Sequence, residues 1–324
     1  MRFSQNTHKH GGFQLFLLPY YSVLWGMKKV LLIIILAIGT YSSGQNQIDV
    51  FQSYYRISPN NSSNFNQKIN YVQFGGELKV PVVLKNSDAL IFGYEYNYHS
   101  FQNRNSDAIP LSDIVHENKL IAGIKHNWNE KWNTIAFYVP KFNGDFKPAS
   151  MEGFQHGGLV LNSYSKTENL DLKFGAYVNS EEFGTMIVPL LGWNWKINDS
   201  WRFKGMIPVS LEVIHSREKS NFGLLFIGKN ASFYKQNEMG VPTYVDMADN
   251  NAWLYSEFKF AKNWLIHFRA GHSVLRKFRY FTDGDTMPLK IGPVNIGDDR
   301  VKQDTWFDNG FSFETRLIFR LPTD

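Results

Sequence analysis

Trp201, Phe203, Gly205, Ile207, Val209, Leu211 and Val213 are apolar or small, while the residues between them include Arg202, Lys204, Ser210 and Glu212. Period two marks a strand with one buried face, whereas a helix repeats every three to four residues. The same alternation runs through Leu170–Val178, Trp264–Ala270 and Phe311–Leu321, and more weakly through Val72–Val80, Leu90–Tyr98, Leu120–His126 and Ile135–Val139. Almost nothing after Gln45 reads as helix. The pattern predicts an all-β chain of about 14 strands, starting near Ile48, Lys68, Asp88, Val115, Lys131, Gly157, Leu170, Gly184, Ser200, Asn221, Asn230, Asn250, Asn263 and Asp304. If the Asn230 strand and one neighbour are loop, the number falls to about 12, and even parity of a closed barrel permits either.

The connections are of two kinds. Asn127–Trp132, Ser165–Leu170, Lys196–Trp201 and Lys259–Trp264 are tight polar turns. Ser100–Ile114, Pro140–His156, Lys235–Asp249 and Lys277–Gln303 read as long loops. Short turns at one end and long loops at the other is the layout of a transmembrane antiparallel up-and-down β-barrel. Trp128, Trp132, Trp193, Trp195, Trp201 and Trp264 all fall within a few residues of the short turns. An interfacial aromatic girdle accounts for this, because an indole sits in the apolar edge with its N–H among the headgroups. Tryptophans capping the ends of a β-sandwich are the alternative.

Upstream, Val30–Ile38 is a run of nine apolar residues, against the roughly 20 that a spanning helix needs. Lys28 and Lys29 before it and Ser42 and Gly44 after it fit a secretory signal cleaved before Gln45. One long anchor beginning at Gly12 would bury both lysines mid-bilayer, at roughly 2.5–3.5 kcal/mol each. The expected organisation is therefore an extension over residues 1–26, a signal peptide over 27–44 and one barrel domain over 45–324.

Composition narrows the classes. The net charge is +5, but residues 1–44 carry four basic side chains and no acidic one, leaving +1 for the rest. A nucleic-acid partner, which wants clustered Lys and Arg, is disfavoured. The absence of cysteine removes disulfides, thiolate metal sites and a lipidated cysteine. Mean hydropathy is −0.31 and no apolar run after Gln45 reaches spanning length, which excludes a helical membrane protein. The membrane architecture that tolerates such a chain is a closed barrel.

Candidate chemistry is sparse. Arg202, Lys204, Glu212, His267, Arg269, Glu314 and Arg316 occupy the polar face of their strands and are expected to face a lumen, where they line a pore or form an internal ion-pair network. His156 is followed by glycines where a hydrolase would place serine, and His272 and Ser273, as adjacent strand residues, point to opposite faces. Asp283, Asp285, Asp298 and Asp299 share one loop but lack the remaining ligands of a calcium loop. No metalloprotease, phosphate-loop or dinucleotide motif occurs. No catalytic residue, metal or cofactor is expected.

With the leader, the alternating strands and the closing stretch Gly310–Asp324 (GFSFETRLIFRLPTD), the chain resembles the outer-membrane β-barrel proteins of Gram-negative bacteria. Within them it is similar to uncharacterised Bacteroidota-type barrels grouped as a domain of unknown function. Such barrels usually end on a terminal aromatic; here Phe319 is followed by five further residues. Plugged receptors and hatch-bearing fatty-acid channels need an N-terminal domain for which the stretch after Gln45 has no room. The resemblance implies residence in the outer membrane, contact with its lipid and with the barrel-assembly machinery, and a porin-like channel for a small solute or ion or a structural role. The rival readings are a soluble periplasmic or secreted β-sheet binding protein and, behind it, an outer-membrane lipid hydrolase.

Overall fold

Asn129 and Asn198 show how the sequence builds the short turns. The Asn129 side-chain oxygen accepts the backbone N–H groups of Lys131 and Trp132 at 2.9 and 3.0 Å. Asn198 does the same for Ser200 and Trp201 at 3.0 and 2.9 Å. An asparagine that satisfies the turn's own amides reverses the chain in the fewest residues and starts the next strand at the tryptophan.

These turns join fourteen strands in a computed structural model, which describes residues 47–62, 68–84, 87–103, 112–146, 151–236, 240–301, 304–306 and 309–322. The extension and signal expected over residues 1–44 lie outside the described residues. The wall strands are β1 (Gln47–Ser62), β2 (Lys68–Val83), β3 (Ala89–Asn103), β4 (Ser112–Asn127), β5 (Trp132–Tyr138), β6 (Gly157–Thr167) and β7 (Leu170–Glu181). They continue as β8 (Gly184–Lys196), β9 (Trp201–Ile207), β10 (Ser210–Ser216), β11 (Ser220–Gln236), β12 (Pro242–Lys259), β13 (Trp264–Thr282) and β14 (Phe311–Pro322). Each pairs antiparallel with the next, and β14 pairs with β1. The barrel is closed, so the wall as a whole presents no sheet edge.

Four expectations are corrected. The alternation from Trp201 to Val213 is two strands, not one: Phe203 pairs with Val213 and Met206 with Ser210, around a turn closed by the Val209 N–H on the Met206 carbonyl at 2.7 Å. Conversely, the strands expected at Asn221 and Asn230 are the single β11. Lys235–Asp249 is no long loop, because β11 reaches Gln236 and β12 begins at Pro242, eight residues before the expected Asn250. The last strand starts at Phe311, and Asp304–Trp306 is a separate short strand on β13.

The wall is uneven in height. A tilted strand needs about 9–11 residues to cross a bilayer, yet β9 and β10 have seven each, beside 13 in β8 and 17 in β11. The notch above them holds a small hairpin from the β13–β14 connection. Its first arm, Leu289–Ile291, pairs parallel to β8 through Met186 and Ile187, and the Gly292 N–H bonds the Ile187 carbonyl at 2.8 Å. Its second arm, Val294–Ile296, returns antiparallel. Ile291, Val294 and Ile296 are exposed while Lys290 is buried, so the hairpin repeats the wall's own alternation. Above β5 the chain continues as Lys141–Gly144, which pairs with β4 on one side and meets β11 at Tyr234 on the other.

Candidate functional site

In β12 the seven residues Thr243–Asp249 are all buried, and in β11 so are Ala231–Tyr234. A strand with no exposed alternate residue is covered on both faces. Here the upper parts of β11, β12 and β13 leave the line of the wall and enter the interior as a three-stranded tongue. It begins at a register shift, where Asn250 pairs with Leu275 and Asn251 with Ser273, leaving Val274 as an extra residue. Such a bulge bends the strand that carries it.

One face of the tongue presents Ala231, Phe233, Val245, Met247 and Phe278, which pack on Tyr71, Phe101 and Val115 of β2, β3 and β4. Tyr71 stacks on Phe101 with ring centroids 4.8 Å apart, and Phe278 meets Phe101 edge-on at 4.6 Å. The other face presents Tyr244 and Phe281 to Phe183, Met186, Val188 and Leu190 of the β7–β8 hairpin and to Met287 of the β13–β14 connection. Side chains from opposite walls thus meet across the interior with the tongue between them. Full burial of each large apolar side chain stabilises by about 1.5–3 kcal/mol.

The backbone of β11 within the tongue has no wall neighbour on the β10 side, so its polar groups need other partners. Ser232 N–H donates to Glu181 at 2.8 Å, and the Ser232 carbonyl accepts from Asn143 and Gln155, both at 3.1 Å. Lys141 then pairs with Glu181 at 2.8 Å with both side chains buried. Gly144 and Gly153 let this inserted segment approach, since a Cβ at either would come within 3 Å of a backbone oxygen.

Below the tongue the interior is filled by charges. Arg56 of β1 bridges Asp249 of β12 at 3.1 Å and Glu314 of β14 at 2.9 Å. Arg276 reaches the other Asp249 oxygen at 2.9 Å and also Asn251 and Ser312. Arg269 and Arg316 add to Glu314, and Arg316 donates to Gln52 at 3.0 Å. On the opposite wall Lys119 pairs with Glu117 at 3.0 Å and Glu95 at 3.2 Å, and Lys229 of β11 reaches across to Glu117. Charges taken out of water persist when they are paired, as these are.

The polar-face candidates join such contacts. Arg269, Glu314 and Arg316 share the network around Arg56; His267 lies 3.9 Å from Glu257, which Arg320 also holds at 2.9 Å. Lys204 is 3.7 Å from Glu212, which accepts the Tyr255 hydroxyl at 2.7 Å. Arg202 is half-buried on β9, in register with Ile214. Sequence reasoning missed Arg56, Glu117, Lys229, Asp249 and Arg276. The signal for Arg56 was present in Gln52, Tyr54, Arg56 and Ser58, a polar alternation in β1. Asp249 sat in a stretch read as loop.

Among the tryptophans, Trp128, Trp132, Trp195 and Trp201 are exposed near the short turns. Trp264 is half-buried against Phe319, with ring centroids 5.0 Å apart. Trp193 differs: its ring covers Gly205, where a Cβ would come within 2.6 Å, and its Nε1 is buried without a hydrogen-bond partner among the described residues. Its ring packs on the wall.

The residues weighed for other chemistry are placed apart. Ser273 Oγ accepts the Gly310 N–H at 2.7 Å, while the His272 ring packs against Phe311. Asp298 is held by Arg300 at 2.6 Å, and Asp285 accepts the Val301 N–H at 3.0 Å. Among the described residues no three His, Asp or Glu side chains converge as a metal would require.

Fold and interior together define an all-β, closed 14-strand antiparallel barrel. The chain matches the family described as a domain of unknown function (DUF6268) over residues 44–284, and it belongs to that family. Among solved structures it is similar to an outer membrane channel from Pseudomonas putida F1, at 10% identity and a TM-score of 0.45, over 87% of this chain and 97% of that one. The NanC porin aligns at 10% identity and a TM-score of 0.37, covering 84% of this chain and all of that one (100%). The translocator domain of the autotransporter NalP from Neisseria meningitidis aligns at 8% identity and a TM-score of 0.36, over 93% and 97%. No curated protein matches the chain.

Proposed function

We propose that the protein resides in the outer membrane as a non-catalytic β-barrel shut at its long-loop end by its own strands. In this state it passes no steady ion current. The observation that carries the reading is the unbroken burial of Thr243–Asp249, because a closely packed layer across the interior, its few charges paired, leaves ions no hydrated path. Outward-facing Leu191, Leu224 and Leu254 are each at least 60% exposed, which suits a lipid-facing wall and disfavours a soluble binding protein. The export signal, the tryptophan girdle, passage through the barrel-assembly machinery and a Bacteroidota-type origin belong to the same reading. So does the assignment of the polar-face residues to a lumen, as an internal network more than as a conducting path.

The test has two arms. Detergent-extracted protein is expected to show heat-modifiable gel mobility, and the same folded protein in a planar bilayer is expected to give no steady current. Release from cells by osmotic shock, without detergent, contradicts the membrane reading. Sustained single-channel steps from the folded protein contradict the closed one.

A further inference from the structure

Under the tongue lies a cavity of about 230 Å³ between β1–β3 and the lower parts of β11 and β12. Its lining runs from Arg56 and Gln73 beneath the apolar layer down to Gln52 and Glu77, towards the short-turn rim. Three features set its chemistry. The first is charge balance: the lining holds Arg56, Lys229 and Arg316 against Glu77, Glu95 and Asp249. The second is that each of these already has an ion-pair partner within the protein. A charged guest would break a buried pair or go uncompensated, and either is costly. The third is Gln73, which is only 2% exposed and spends its amide N–H on Tyr71 and His99, while its Oε1 has no hydrogen-bond partner among the described residues. A buried carbonyl left unpaired marks a place where a donor is missing.

We infer that this cavity is a binding site for a small neutral polyhydroxyl solute of monosaccharide size, entering from the short-turn rim and donating a hydroxyl to Gln73. Hydroxyl groups supply the donor that Gln73 Oε1 lacks, once its side chain turns toward the cavity, and meet the remaining lone pairs of the carboxylates without disturbing any pair. The inference rests on the reading of the lumen as closed above, and its test is separate from that reading's bilayer test.

Full-length protein refolded in detergent is titrated calorimetrically with glucose, with gluconate and glucosamine as charged analogues of similar size. Glucose is expected to bind one-to-one, with both analogues at least tenfold weaker. Gln73→Met and Ile227→Trp, the second filling the cavity without touching a polar group, are each expected to weaken glucose binding at least tenfold while keeping heat-modifiable mobility. If Gln73→Met does not fold, Ile227→Trp decides. Heats of glucose equal to the detergent blank mean that water alone fills the cavity and overturn the inference, as does equal binding of a charged analogue or undiminished binding to Ile227→Trp. A current in the bilayer with glucose still bound would sink the closed reading and leave this one standing.

Discussion

Glu182 sits in the tight turn between β7 and β8, at the rim beyond the strands, where its Oε1 accepts from Gln155 at 3.1 Å and its N–H donates to Ser232 at 2.7 Å. Burial pushes its carboxyl up to about 7, with Glu181, Asp283 and Glu152 acting in the same direction and the Gln155 bond opposing. A carboxyl whose folded value is raised stabilises the fold below its ordinary titration range, and that contribution is lost as pH rises through the raised value. The melting temperature is therefore expected to fall between pH 5 and pH 8, and Glu182→Gln to flatten the fall; an equal slope in both proteins counts against the assignment. At this scale the sequence was half legible. Alternation put Arg269, Glu314 and Arg316 on one face of their strands, but nothing in it measures the distance from Arg56 to residues 193 and 258 positions away.

The elements show why some strand boundaries were readable and others not. Met206 pairs with Ser210 around three residues, and an odd-numbered connection keeps odd positions on one face, so two short strands read as one long one. The tongue failed the same test for the opposite reason: Tyr244, Val245, Asp246 and Met247 are all buried, and a strand covered on both faces has no period-two pattern to read. Asp246 is accommodated by Arg279 and Arg300, which the sequence places in a different strand and a distant loop. The notch-filling hairpin carries its own prediction. Lysine on a lipid face costs about 2–4 kcal/mol at the bilayer midplane and about 0–1 near an interface. Leu254, midway along the part of β12 below the tongue, and Val294, at the hairpin's tip, are both exposed. Urea unfolding in lipid vesicles is expected to show the larger loss for Leu254→Lys and the smaller for Val294→Lys; the reverse order would displace the hairpin from the rim.

For the whole molecule, the proposed closed state depends on the packed layer, and a charge placed there should open it. Phe233 is fully buried within that layer. Phe233→Asp leaves an unpaired buried carboxylate and is expected to lower unfolding stability by about 3–5 kcal/mol, while stepwise currents appear in a planar bilayer from protein that still migrates as a folded barrel. Silence from that folded variant would mean that the network around Arg56 seals the barrel by itself. The connectivity of the tongue also limits how the barrel could open. Its three strands are continuous with the wall strands β11, β12 and β13, and β14, which completes the wall, comes after them in the chain. The tongue therefore cannot be shed as a separate domain. In the proposed closed barrel any passage has to be made by flexing at the bulge beside Val274, with the covalent frame intact.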